Sequence, residues 1–204
     1  MKYIETYIVK KIDISNFNIS LPKFYNNYKN ETKLAYLLLN YIYYKKYNSF
    51  LNINFISKDK NNKPIFLKNN LYFNISHSKN YVACSLSTTN IGIDLEEDRV
   101  IKDKTLNKIT HFNDKNISSI KIWNIKEAYS KYLGIGLKLN FSKISIEEIK
   151  TNVNLNSSIY NIENKILYFS LCYDIDKNIC NNIYFTNQQK LTDFYSKFYN
   201  KEAN

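Results

Sequence analysis

Glycine and proline are almost missing from this chain, at three and two of 204 residues. A collagen-like repeat and a Gly/Pro-rich linker are thereby excluded, and turns must be built by Asn and Asp, whose side chains bond to nearby backbone and tolerate left-handed conformations. Cysteine is scarce too. Cys84, Cys172 and Cys180 are odd in number and form no C-x-x-C pair, which argues against a disulfide framework and against a zinc knuckle. No uncharged apolar run approaches the roughly 18 residues of a membrane span, the longest clean one being Ala35–Leu39. Glu5 stands where a secretion signal needs an apolar stretch, so no signal is read and a reducing cytoplasm is the expected compartment. Arginine is reduced to one residue, Arg99.

What remains is abundant and biased. Asn, Lys and Ile supply 32, 28 and 28 residues, the signature of A/T-rich codon usage. Hydrophobic residues make up 44% and aromatic residues 16%, enough to exclude disorder as a description of the whole chain. At this length the chain is one ordinary domain or two small ones, able to fold without a disulfide or metal staple. The net charge of +11 is unevenly spread. Residues 94–98 hold four acids and no base, and the segments on either side are basic. Such a surface attracts polyanions: nucleic acid, phosphorylated cofactors or acidic proteins.

No repeat or low-complexity tail divides the chain. Residues 2–9 read as a strand, and Leu21-Pro22 as the start of a helix running to about Tyr47 on Leu34, Leu37, Leu38, Tyr41 and Ile42. Phe50–Ile56 alternates as a strand, and Lys58–Lys63 is a polar turn. Tyr81–Leu86 and Ile91–Leu95 read as two short strands. Asp114 is placed to cap a helix that Gly134 ends, Lys165–Tyr173 and Ile179–Phe185 read as a strand pair, and Gln188–Tyr199 as a closing helix. This order predicts an α+β chain of two mixed halves rather than one alternating parallel sheet.

Three stretches carry chemistry. Asp94 and Glu96 lie two apart at the end of an apolar strand and share a face, while Leu95 turns to the core. Convergent carboxylates of this kind suit a hard cation such as Mg²⁺ when phosphates are near, and are otherwise an ordinary acidic turn. Trp123, Glu127 and Lys131 recur every four residues on one helix face, so Glu127 offers a third carboxylate and Lys131 a cation, or the two form a plain surface ion pair. Phe73-Asn74-Ile75-Ser76-His77-Ser78 reads as a loop rich in donors for phosphate oxygens. A Ser-His nucleophile pair is disfavoured there, since adjacent side chains diverge. Lys63-Pro64 is a turn that gains meaning only beside these. His111 receives no role.

Taken in order, Lys63-Pro64, FNISHS (73–78), GIDLE (92–96) and WNIKEAYSK (123–131) resemble the 4′-phosphopantetheinyl transferases. The family pattern is a K-P turn, F-N-x-S-H-S, G-x-D-x-E and W/F-x-x-K-E-A/S-x-x-K, and the motifs span residues 63–131. The length resembles the surfactin-synthetase-activating type, a pseudo-dimer of two similar α/β halves, rather than the shorter trimeric holo-acyl-carrier-protein synthases. The resemblance implies halves at residues 1–98 and 99–204 with the active site in the cleft between them, in a monomer.

It further implies that the serine of an apo acyl or peptidyl carrier protein attacks the β-phosphate of coenzyme A, with adenosine 3′,5′-bisphosphate leaving. Asp94, Glu96 and Glu127 match the Mg²⁺ ligands, Glu127 also the candidate base, and Lys131 the lysine on the transferring phosphates. Ser76, His77, Lys63 and Lys126 match coenzyme A contacts, His77 at the 3′-phosphate and Lys126 in a supporting role. Two features depart from the family. Asn62 replaces the frequent glycine before K-P, and Lys23 and Lys33 are approximate matches for arginines at the 3′-phosphate. The competing expectation is a basic, non-enzymatic module binding nucleic acid, with 19 tyrosines available for stacking. It lacks any helix-turn-helix, RRM or zinc-finger signature, and neither nucleic acid nor membrane is expected as a partner.

Overall fold

The computed structural model describes residues 2–12, 14, 29–67, 70–175 and 178–199. Lys23 and the expected helix start at Leu21-Pro22 lie outside them. Strand β1 (Lys2–Lys10) is followed by helix α1 (Asn30–Tyr47), the short strands β2 (Ile56–Lys58) and β3 (Pro64–Phe66), then β4 (Tyr72–His77), β5 (Tyr81–Ser87) and β6 (Ile91–Glu97). Helices α2 (Asp103–Ile109), α3 (Ser119–Leu133) and α4 (Ile146–Asn152) precede β7 (Asn154–Ile162), β8 (Lys165–Tyr173), β9 (Ile179–Thr186) and α5 (Gln188–Tyr199). No helix among the described residues is long and apolar enough to cross a membrane.

The strands form sheets ordered β4-β5-β1-β9 and β6-β8-β7, beside the small β2-β3 pair. The mixed α+β class is as expected. Both large sheets share a connection pattern: a first strand, a helical stretch (α1 followed by the β2-β3 pair in one, α2 to α4 in the other), and an antiparallel pair whose second member lies against the first strand. In the first sheet β4 pairs with β5 and β5 with β1. In the second β7 pairs with β8 and β8 with β6.

Alternation decides which faces meet. Ile4 and Ile8 of β1 and Ala83 of β5 face Ile93 and Leu95 of β6 and Phe169 and Leu171 of β8, all essentially unexposed, so the sheets pack on one another. The outer face of the first sheet is covered by Leu34, Leu37, Leu38 and Ile42 of α1 and by Leu191 and Tyr195 of α5. The outer face of the second is covered by Ile122, Ile125, Ala128 and Tyr129 of α3. Each fully buried leucine or isoleucine stabilises this layering by about 1.5–3 kcal/mol.

The scarcity of glycine is met as the composition demands. Asn48 ends α1 at φ 52°, and Asn62 and Asn164 turn at 65° and 60°. Asn62 thus supplies, before Lys63-Pro64, the left-handed residue for which glycine is the usual choice.

Several expectations shift. Phe73–Ser78 is mostly strand β4 rather than a loop. Residues 50–55 give no strand, and only Ile56–Lys58 pairs, with Pro64–Phe66. α3 begins at Ser119, and Asp114 caps nothing there: it sits in a single turn of 3₁₀ helix and accepts from Ile146 N at 3.0 Å. β8 and β9 are not paired with each other, since β9 runs parallel to β1 in the first sheet. The division at residue 98 therefore does not follow the sheets. β6 belongs to the second sheet although it precedes that division, and β9 and α5 return to the first.

Candidate functional site

The site lies where β4 meets β6. Among the described residues the edge of β6 toward β4 has no strand partner for its N–H groups, and an unpaired buried N–H is costly. The motif at residues 73–78 supplies partners by side chain. Asn74, Ser76 and Ser78 alternate along one face of β4: Ile93 N donates to Asn74 Oδ1 at 2.9 Å, Leu95 N donates to Ser76 Oγ at 3.2 Å, and Ser78 Oγ donates to Glu97 Oε1 at 3.1 Å. Asn80 adds its backbone N–H and its side chain to Glu97. Burial alone would raise the Glu97 pKa, but these donors outweigh it and hold the carboxyl below its ordinary value.

On the other side α3 is seated against β6 by Gly92. A Cβ there would fall 2.1 Å from Tyr132 N and 2.2 Å from Ala128 O, so only glycine permits this approach. Gly134, at φ 71°, ends the helix with its N–H on the Lys131 and Ser130 carbonyls. The spacing of four then brings Trp123, Glu127 and Lys131 to the acidic face of β6. Lys131 Nζ lies 2.6 Å from Asp94 Oδ1 and 3.0 Å from Ser76 Oγ. Ser76 Oγ donates to the same Asp94 oxygen at 2.8 Å, and Asn124 Nδ2 donates to Oδ2 at 3.0 Å. Asn124 is itself anchored by Ser170 Oγ at 2.6 Å. Glu96 accepts from Trp123 Nε1 at 2.8 Å and from two nitrogens of Arg99 at 3.2 Å.

Glu127 has the most altered carboxyl of the group. Burial, opposed by Lys131 and reinforced by Asp94 and Glu96, pushes its pKa up to about 7. The three carboxylates therefore sense one another, but they do not converge as a ready cage. Among the described residues no group of three or more His, Cys, Asp or Glu side chains is placed to hold a metal ion. Asp94 is instead engaged by Lys131, Ser76 and Asn124, and Glu96 by Arg99 and Trp123, because carboxylates this close draw in whatever donors the protein offers. Their oxygens remain the hard, anionic donor set a magnesium ion prefers: Asp94 would exchange Lys131 for it, whereas Glu96 Oε2, which accepts from Arg99 Nε alone, can take a cation with its clamp in place.

The phosphate-binding expectations divide. His77 is exposed at the end of β4, with its pKa lowered by packing around the ring and by Lys11. Lys11, which no motif singles out, pairs with Glu31 at 3.1 Å at the start of α1, and both charges reach His77. Lys33 stands one turn into α1, two residues beyond Glu31. Lys63 folds inward: Nζ donates to Ile91 O at 3.2 Å, with Asn90 Oδ1 and Tyr132 O at 3.4 and 3.5 Å, and burial pulls its pKa down to about 8. It lines a pocket of about 210 Å³ with Pro64, Asn74, Ile75, Lys131 and Gly134, so K-P, β4 and the end of α3 form one cleft. Ser76 is only 5% exposed and is occupied by Asp94, Lys131 and Leu95, so it braces the acidic centre instead of facing a phosphate.

Lys126 is a correction. It is fully buried, with Nζ 2.7 Å from Asp114 Oδ2, 2.9 Å from Ile109 O and 2.8 Å from Phe141 O. All three of its protons are spent inside the protein, so its ammonium is not available to coenzyme A. It ties α3 to the segments around residues 109–114 and 141.

No protein-family model matches the chain. Over 105 residues it is 31% identical to the 4′-phosphopantetheinyl transferase gsp of Aneurinibacillus migulanus, a match covering 46% of this chain. The matched part spans 44% of that relative's length, so the chain covers less than half of the curated protein it resembles. The K-P turn, β4, β6 and α3 are thus assembled around one acidic centre, and beside them stands this similarity to a 4′-phosphopantetheinyl transferase over less than half of either chain.

Proposed function

We propose that this protein is a transferase of the surfactin-synthetase-activating type, a monomeric pseudo-dimer that moves the 4′-phosphopantetheine arm of coenzyme A onto a serine of an apo acyl or peptidyl carrier protein in the cytoplasm. The matching connections of the two sheets support the pseudo-dimer. The observation that carries the reaction is Glu127, a half-buried carboxyl beside the Asp94–Lys131 pair, whose lysine lines the cleft.

In this reading the serine oxygen forms a bond to the β-phosphorus while the bond to the bridging pyrophosphate oxygen breaks. Adenosine 3′,5′-bisphosphate leaves, and Glu127 takes the serine proton. A carboxyl with a pKa near the working pH suits that task better than an ordinary one. Lys131 moves part of its charge from Asp94 to the phosphates, where negative charge shifts during transfer. His77, with Lys11 beside it and Lys33 nearby, meets the 3′-phosphate. Lys63 and Pro64 border the nucleotide end of the cleft. Magnesium, held by Asp94, Glu96 and Glu127, would supply neutralisation of the pyrophosphate when bound.

The test is mass spectrometry of apo carrier proteins from fatty-acid, polyketide and peptide assembly after incubation with this protein, coenzyme A and Mg²⁺. A gain of one phosphopantetheine, abolished by EDTA and restored by Mg²⁺ or Mn²⁺, is expected. No gain on any carrier, together with tight, salt-sensitive DNA binding, would favour the basic-module reading instead.

A further inference from the structure

Among 29 basic residues the chain has a single arginine. Where every other cation is lysine, a position that keeps arginine invites the question of what a lysine there could not do. Arg99 lies just beyond β6 and places Nε 3.2 Å from Glu96 Oε2 and Nη2 3.2 Å from Oε1, a two-point fork on one carboxylate. The same Oε1 accepts from Trp123 Nε1 at 2.8 Å, and the guanidinium stands 5.9 Å from the Trp123 ring. Three N–H groups from two residues therefore fix the plane of Glu96. An ammonium supplies the same charge but is a point donor on a flexible stem and cannot reproduce the fork.

We propose that Arg99 is a positioning residue: it acts through Glu96, holding that carboxylate at one angle against Trp123 so that it is pre-set to bind a divalent cation beside Asp94. The metal part of this inference rests on the proposed function above, whereas the clamp itself does not. Partners that orient a ligating carboxylate typically change metal affinity or activity by 10–100-fold.

The test uses the full chain and the variants R99K, R99Q and E96Q. Trp123 is the only tryptophan, so its indole N–H gives a single ¹⁵N–¹H signal that reports the Trp123–Glu96 bond without metal or substrate. R99K is expected to move that signal in the direction E96Q does. R99K and R99Q are both expected to weaken binding of Mn²⁺ alone, read by paramagnetic resonance, by roughly tenfold or more. Thermal melts should stay close to the parent, because the Arg99 side chain is half exposed. An unmoved indole signal with parental Mn²⁺ affinity in R99K would show that charge alone suffices and overturn the proposal. Tighter Mn²⁺ binding in R99Q would overturn it too, by making Arg99 only a competing cation. If the parent protein binds no Mn²⁺, the metal reading of the site fails, and the indole signal still decides whether Arg99 holds Glu96.

Discussion

Lys126 and Lys131 leave the same helix five residues apart, and each meets one aspartate at nearly the same distance, 2.7 Å to Asp114 and 2.6 Å to Asp94. Their surroundings differ. Lys126 and Asp114 are 0% and 3% exposed, and two backbone carbonyls complete the lysine's shell. Lys131 is 26% exposed at the cleft, shares Ser76 with its aspartate, and has the altered Glu127 one turn away on the same face. A short ion pair therefore does not mark a functional lysine. What separates the two is whether the ammonium can exchange its partner for a ligand without leaving a buried charge behind.

The largest expected effect strikes the buried pair. Lys126→Met leaves Asp114 uncompensated and should cost about 3–5 kcal/mol of stability, measured by urea unfolding, while activity per folded molecule stays near the parent's. A stable but inactive variant would erase the distinction drawn between the two lysines. Lys131→Ala should do the reverse. Transfer falls roughly 10²–10³-fold with a thermal midpoint close to the parent's, and Glu127→Gln behaves alike. Activity lost only in proportion to unfolded protein would make the cleft pair structural as well.

A pH profile sharpens the same contrast. The Glu127 pKa is raised in the fold from 4.5 to about 7. Between those values the folded protein holds a proton that the unfolded chain has released, so this contribution to stability is full below about 4.5 and is lost as pH rises through 7. Binding of a divalent cation, which needs the carboxylate, runs the other way and tightens as pH climbs toward 7. Glu127→Gln should flatten both curves, and a parent Mn²⁺ affinity that is flat from pH 5 to 8 would remove Glu127 as a ligand. The smallest effect is at the far end of the cleft. His77→Ala should weaken coenzyme A by about 1.5–3 kcal/mol while leaving the 3′-dephospho form almost unchanged, checked by calorimetry. Equal weakening of both would move His77 away from the 3′-phosphate.

Much of this was legible in the residues. The strand at 2–9, the period of Leu34, Leu37, Leu38 and Ile42, and Gly134 as a helix end follow from local chemistry, and so does the shared face of Asp94 and Glu96. The helical spacing also separated the two lysines, since only residues 123, 127 and 131 share a face. Likeness to the family motif assigns Lys126 to the cofactor, against that geometry. β4 is hidden because its inward residues are Asn74 and Ser76, with Ser78 just beyond, which read as loop chemistry until the unpaired N–H groups of β6 are seen opposite the first two. Local sequence pairs β9 with its neighbour β8 because it holds no record of a distant strand. Lys11 carried no signal, for a lysine after a strand gains meaning only from what folds beside it.

The return of β9 to β1 has a consequence for how the chain must be made. Glu5 and Asn182 face each other across that pair, 177 positions apart. During synthesis β1, α1, β4 and β5 emerge early, but the edge of their sheet and the cover given by Leu191 and Tyr195 arrive only with β9 and α5, after the whole second sheet has been made. Closing so long a loop carries a large entropic cost and slows folding, and until it closes the early half presents an open strand edge. Separately expressed fragments 1–98 and 99–204 should therefore not fold as two independent bodies, and the first should aggregate unless residues 179–199 are restored to it.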